Sequence, residues 1–401
     1  NTNPSNPIIG NRSFGEDKLN VANKGVAFFK GMESVNVLGS AKHFPGHGDT
    51  SQDSHKTLPT IDFSLERIEN VELYPFKEVI KSGIASIMVA HLDIPSLGTK
   101  TGKPSSLSSK IVTDLLKDKL GYKGLIFTDA LNMKGASNYK EPGDVDVAAF
   151  LAGNDILLIS EDVPKAVEKI KIAIKKNKIT LDRLALSVKK ILMAKYKVGL
   201  NNYTPVNLEN IYSDLNTRSN DVLYSKLLEN AITLVKNKNN TLPIKNLDTS
   251  NIAYVKFGEG NNHNYLNQLK QFAKVTEIKA TNLDGLIKKT NKYNLIIIGV
   301  HKSNANPWKS YKLSNKELTW IYELARTNKV VLNLFSSPYA LLDFKTTTNF
   351  EAIIVSYQNS LIAQNKSAEA LFGAIDIKGV LPVSSNKSFP VNTSILQNKI
   401  N

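Results

Sequence analysis

Within fourteen residues, from Lys42 to His55, the chain collects His43, His47, His55, Asp49, Asp53 and Lys42. Imidazoles and carboxylates at this density are the groups that move protons or hold metals near neutral pH. Pro45, Gly46 and Gly48 mark the segment as a loop, and it follows a predicted strand. Loops at the carboxyl ends of strands are where α/β proteins bind ligands. Three chemistries fit these residues. The segment is a capped turn with solvated histidines. Or His43, His47, Asp49, Asp53 and His55 ligate zinc, although the His47–His55 spacing matches no standard ligand pattern. Or Asp53 and His55, two apart, form a dyad: the carboxylate fixes the imidazole tautomer and leaves the other nitrogen to carry a proton.

Asp129 is the second candidate. It closes the apolar run Gly124 to Phe127 and falls at the mouth of a sheet, as a reactive carboxylate or as an N-cap for a following helix. The third is Arg12, within Ile9 to Phe14. It suits an acidic ligand group or hydroxyls, with a surface salt bridge as the plain alternative. No Gly-x-Ser-x-Gly elbow, Walker loop or His-Glu-x-x-His is present, which removes those hydrolase and nucleotide classes.

Residues 1–200 alternate strand and helix. Val35 to Leu38 leads into Lys42–Phe44, residues 66–82 have helical periodicity, and Ile84 to Ala90 is an apolar run. Residues 109–120 and 145–153 are helical, Asp155 to Ile159 reads as a further strand, and a Lys-rich helical stretch runs to about Leu200. Apolar strands alternating with helices imply a parallel sheet under helices. About four such units predict either a small open sheet or the C-terminal part of a (β/α)8 barrel, which needs roughly 250 residues when complete. Residues 201–216 read as a linker. Residues 217–390 form a second α/β domain, with a helix over Leu223–Leu234 and another over 315–327. Its strands are expected at Ile252–Phe257, Leu295–Val300, Val330–Phe335 and Ala352–Ser356, and residues 391–401 trail off as a tail.

The 401 residues predict two or three domains at roughly 100–200 residues each. The absence of cysteine excludes a disulfide scaffold, thiolate metal sites and a cysteine nucleophile, and no apolar run reaches the ~18 residues of a membrane span. The net charge of +15 is spread along the chain, and its longest cluster, Lys169 to Lys178, alternates with Ile and Ala as the wet face of a helix. Nucleic acid is therefore not expected as a partner; an acidic substrate or polyanionic wall is. A start at Asn1-Thr2-Asn3-Pro4 and a polar end suggest a piece of a longer chain.

Lys42-His43-Phe44-Pro45-Gly46-His47-Gly48-Asp49-Thr50, with Asp53-Ser54-His55 and Leu58-Pro59, resembles the signature of the NagZ-like β-N-acetylglucosaminidase branch of glycoside hydrolase family 3. Phe127-Thr128-Asp129-Ala130-Leu131 resembles the nucleophile strand of that family, and Ile9 to Gly15 its substrate-arginine loop. Ala231 to Val235 and Gly379 to Pro382 resemble its C-terminal α/β sandwich. The resemblance implies a (β/α)8 barrel followed by an αβα sandwich, the earliest barrel strands falling before Asn1. It implies Asp129 as nucleophile, His55 as acid/base, Asp53 as its orienting carboxylate, and Arg12, Lys42 and His43 as sugar contacts, with no metal or organic cofactor. The implied reaction is retaining exo-hydrolysis of terminal GlcNAc from peptidoglycan-derived muropeptides. The compartment is not fixed by the sequence, the periplasm or cell envelope being expected before the cytoplasm. The same resemblance leaves a β-glucosidase, a β-glycoside phosphorylase or an idle sugar-binding fragment as alternatives, and a further C-terminal domain as a possible fusion.

Overall fold

The computed structural model describes residues 1–303 and 311–400, so Asn401, the last residue of the expected tail, lies outside the described residues. The chain divides into two compact units, Asn1–Val206 and Asn207–Asn401, and the expected linker 201–216 straddles the division.

The first unit runs α1 (Lys18–Glu33), β1 (Ser40–Phe44), α2 (Leu65–Arg67), α3 (Tyr74–Lys81), β2 (Ser86–Val89), a wide helix over Lys110–Lys119, β3 (Leu125–Thr128), α4 (Lys134–Ser137), α5 (Asp144–Ala152), α6 (Val163–Lys175) and α7 (Leu181–Lys197). The strands form a parallel sheet in the order β1-β2-β3. Phe44 pairs with Val89, and Val89 with Thr128, so the three carboxyl ends are level. Phe44, Ile87, Val89 and Ile126 pack against Leu73, Phe76, Ile111, Val112 and Leu116, giving an apolar core that fixes the height of that rim.

Four expectations change here. Val35 to Leu38 is not strand; Val35 and Val37 are exposed and β1 starts at Ser40. The 66–82 helix is broken, with a wide turn over Ile68–Glu72 before α3, because Pro75 has no N–H to continue the ladder. Asp155 to Ile159 contributes one parallel bridge, Phe127 to Ile156, instead of a strand. There the Asp155 carboxylate takes the Ile126 N–H, the Thr128 hydroxyl oxygen takes the Leu158 N–H, and Ile159 has a φ of 47°. The Lys-rich stretch is two helices, α6 and α7.

The second unit runs α8 (Ile211–Leu215), α9 (Arg218–Ala231), β4 (Thr233–Asn237), β5 (Ile252–Phe257), α10 (His263–Phe272), β6 (Val275–Glu277), α11 (Leu283–Thr290), β7 (Leu295–His301), α12 (Asn315–Thr327), β8 (Val330–Phe335), β9 (Phe350–Val355) and α13 (Leu361–Leu371). The sheet order is β4-β9-β8-β7-β5-β6, parallel except for β4. Alternate residues of each strand face opposite layers. Val255 and Ile298 pack with Ile321 and Leu324 of α12, while Tyr254 and Ile297 pack with Leu269 of α10 and Leu371 of α13. The expected helix over Leu223–Leu234 ends at Ala231, and the β-branched and apolar Thr233-Leu234-Val235 enters β4. The expected tail is not loose: Gln397 pairs with Ile377, and the Ile395 N–H donates to the Leu234 carbonyl at 2.8 Å.

Candidate active site

The rim formed by the carboxyl ends of β1, β2 and β3 carries His43, His91 and Asp129 on adjacent strands. His43 is the fourth residue of β1, His91 follows β2, and Asp129 follows β3. Asp129 does not cap a helix, because α4 begins only at Lys134. Instead its Oδ1 accepts the Ala130 N–H at 2.9 Å, and its Oδ2 lies 3.8 Å from His43 Nε2. His43 is buried, and burial pushes its pKa down to about 3 against the opposing pull of Asp129. It is therefore a neutral group beside the carboxylate at working pH. Its Nδ1 is buried and has no hydrogen-bond partner among the described residues.

The loop that follows β1 is built from within. Gly46, with φ of +141°, passes so close to Glu72 that a Cβ there would stand 2.7 Å from Glu72 Cβ. The Arg67 guanidinium joins Asp49 and Glu72, each at 3.0 Å. His47 is fully engaged, with Nδ1 2.7 Å from Thr50 Oγ1 and Nε2 3.2 Å from Ser54 Oγ. Thr50 Oγ1 donates to the His47 carbonyl. Burial lowers the His47 pKa, so the ring is a neutral strut with neither nitrogen free for a ligand. Among the described residues no three of His, Asp and Glu are grouped to hold a metal ion.

Beyond this strut the chain presents the pair foreseen from spacing. His55 Nδ1 lies 2.7 Å from Asp53 Oδ1, which also accepts the His55 backbone N–H at 2.9 Å. Burial alone would raise the Asp53 carboxyl, but these hydrogen bonds and the nearby imidazole outweigh it and hold the pKa low. An acceptor at Nδ1 leaves Nε2 of this half-exposed ring without a hydrogen-bond partner among the described residues. No hydrogen bond or ion pair among the described residues joins His55 directly to Asp129. Their segments meet one step away, where Gly135 N–H donates to the Ser54 carbonyl at 3.3 Å.

Arg12, Lys42 and His43 line one cavity of about 480 Å³, with His47, Asp49 and the apolar side of α1. Asn6 ties the Arg12 loop to this wall: its side-chain oxygen accepts the N–H groups of Ile8 and Ile9, and its amide donates to the His47 carbonyl at 2.8 Å. Sequence reasoning missed both Asn6 and His91. An Asn-Pro dipeptide marks Asn6 only as part of a turn, and His91 reads as the polar end of an apolar run.

The fold and site thus define a parallel α/β domain with a carboxylate and a His–Asp pair at the rim of its strands. Residues 1–194 match the Glycosyl hydrolase family 3 N terminal domain. The chain is 43% identical over 169 residues to beta-hexosaminidase A of Pseudoalteromonas piscicida, covering 40% of this chain and 28% of that protein. It is 36% identical over 165 residues to a beta-hexosaminidase of Neisseria meningitidis serogroup C (strain 053442), covering 41% of this chain and 45% of that one. The matched stretch spans less than half the length of either relative. A solved glycoside hydrolase family 3 beta-N-acetylglucosaminidase from Paenibacillus sp. str. FPU-7 superposes with a TM-score of 0.77 at 27% identity, covering 96% of this chain and 74% of that chain.

Proposed function

We propose that the chain is a retaining exo-β-N-acetylglucosaminidase that releases terminal GlcNAc from peptidoglycan-derived muropeptides. The observation that carries this reading is the hydrogen-bonded Asp53–His55 pair on a loop bonded to the segment that follows Asp129. The names of the relatives, beta-hexosaminidase and beta-N-acetylglucosaminidase, support the same sugar. We read the first unit as the later part of a (β/α)8 barrel and the second as an αβα sandwich, in line with the parallel sheet of the first and the sheet of the second, parallel but for β4.

In this mechanism Asp129 attacks the anomeric carbon as the C–O bond to the leaving group breaks. His55 Nε2 gives its proton to the departing oxygen, then takes one from the water that cleaves the glycosyl–Asp129 ester. Asp53 orients His55. A histidine in place of the usual second carboxyl, imidazolium before it gives the proton and neutral after, never sets another anion beside the nucleophile. Arg12, Lys42 and His43 hold the sugar hydroxyls, a role that suits the unpartnered His43 Nδ1 on the cavity wall.

The test is turnover of a natural GlcNAc linkage and of 4-nitrophenyl N-acetylglucosaminide by wild type, Asp129→Asn and His55→Ala. Asp129→Asn is expected to lose both activities, and mass spectrometry of the wild type to find sugar on Asp129. His55→Ala is expected to slow the natural linkage by about 10²- to 10⁴-fold and glycosylation by the nitrophenyl substrate by much less. Equal losses would refute the acid role, and sugar 1-phosphate formed on adding phosphate would make the enzyme a phosphorylase.

A further inference from the structure

His91 is fully buried, yet both of its nitrogens are spoken for. Nε2 lies 2.9 Å from the Ala130 carbonyl oxygen, and Nδ1 lies 2.7 Å from Ser106 Oγ. A carbonyl only accepts, so Nε2 carries the hydrogen. Burial lowers the pKa of the ring, so it is neutral, and Nδ1 accepts from the Ser106 hydroxyl. Ser106 is itself fixed, its N–H donating to the Ala90 carbonyl and its own carbonyl accepting from Asn154 Nδ2 at 2.8 Å.

The clamped carbonyl belongs to the residue whose N–H grips Asp129. Ala130 O accepts from His91 on one side and from the Met133 N–H at 3.0 Å on the other, while Ala130 N–H holds Asp129 Oδ1. The other oxygen, Oδ2, is the one turned toward His43. His91 also bears on the opposite wall: a Cβ built on Gly135 would stand 3.1 Å from His91 Cβ, 3.1 Å from the Ser54 carbonyl oxygen and 3.0 Å from that of Thr57. The ring thus holds the strand end that carries Asp129, while its Cβ stands beside the glycine at which α4 meets the loop that carries His55.

We propose that His91 is a positioning residue: its Nε2–H fixes the Ala130 carbonyl and so the orientation of the residue whose N–H, one peptide earlier, selects the Asp129 oxygen that meets the sugar, and it sets the span to the His55 loop. This rests on the glycosidase reading above.

The experiment compares the full chain as wild type, His91→Leu and His91→Gln on 4-nitrophenyl N-acetylglucosaminide, with folded fraction measured by circular dichroism. Leucine fills the space without a donor, whereas glutamine carries an N–H at a matching reach. His91→Leu is expected to lower kcat roughly 10- to 100-fold with little change in KM, as for a reacting group displaced by a fraction of an ångström to one ångström. His91→Gln is expected to recover most of the loss, and the shape of the pH profile to stay as in wild type. A leucine variant with wild-type kcat, or a glutamine variant no better than leucine at equal folded fraction, overturns the proposal. ¹⁵N imidazole spectra of the wild type are expected to show His91 neutral with the hydrogen on Nε2. An Nδ1-protonated ring overturns the clamp whether or not sugar is turned over. Absent turnover by a wild type with the expected tautomer sinks the glycosidase reading instead.

Discussion

Single side chains in the site divide into those that face the cleft and those that hold them. Asp53 belongs to the second kind: among the described residues its carboxylate accepts hydrogen bonds from the His55 N–H groups. Asp53→Asn replaces an acceptor-only group with one that also donates, so the tautomer is no longer dictated. We expect kcat to fall by about 10²-fold, the lower end of what general acid–base catalysis supplies, while Tm stays within a few degrees because the His55 ring is half-exposed. Steady-state kinetics beside a melting curve checks both, and unchanged kcat would show that His55 is oriented by something else. This pair was legible in the sequence because its members lie two residues apart and meet within one turn. The approach of His43 to Asp129 was not, since it exists only once β1 and β3 flank β2 with level ends. His91 carried no motif at all. Its role depends on a carbonyl contributed by a neighbouring strand, which no local pattern reports.

At the scale of elements, the site depends on how closely α4 approaches the His55 loop. Gly135 permits it, having no side chain where two carbonyl oxygens and His91 converge within 3.1 Å. Gly135→Ala must push that loop outward. A cost of about 1–3 kcal/mol in urea denaturation is expected, as for overpacking, with a drop of at least roughly tenfold in kcat, since small displacements of reacting groups are expensive. A variant destabilised but fully active would place the His55 loop outside the reaction. The strands that carry this geometry were readable where they are continuous apolar runs, as at Ile84 to Ala90 and in β5, β7 and β8. Asp155 to Ile159 deceived because an apolar run fixes neither burial nor hydrogen bonding: of the five only Asp155 is buried, and Ile159 is exposed. Those residues are anchored by the Asp155 carboxylate and the Thr128 hydroxyl rather than by a ladder. The β4 strand was hidden by the helix that runs directly into it.

Taken whole, the molecule buries four imidazoles in neutral form: His43, His47 and His91 in the first unit and His301 in the second. Burial lowers all four pKa values, to about 3 for His43 and about 4 for His301. His301 is held between Tyr254 OH at 2.8 Å and Asn359 Oδ1 at 2.7 Å. On unfolding each ring regains a pKa near ~6.5, so below that pH the unfolded chain binds more protons than the fold. The stability these rings contribute is full above about pH 6.5 and drains away as pH falls through the window toward their folded values. Urea midpoints for both units are expected to drop between about pH 7 and about pH 5, with a slope of up to ~1.4 kcal/mol per pH unit for each histidine. A flat midpoint over that range would mean that the rings are already charged when folded.

The far end of β3 obeys a separate logic. There the fully buried Asp155 carboxylate binds Lys190 Nζ at 2.9 Å and Ser187 Oγ at 2.6 Å, and Lys190 also donates to the Gly124 carbonyl. The same carboxylate holds the Ile126 N–H, three residues before Asp129 and so about 10 Å from it at ~3.3 Å per residue. Substitutions at the rim, at Asp53 or His55, therefore leave this keel of the domain untouched.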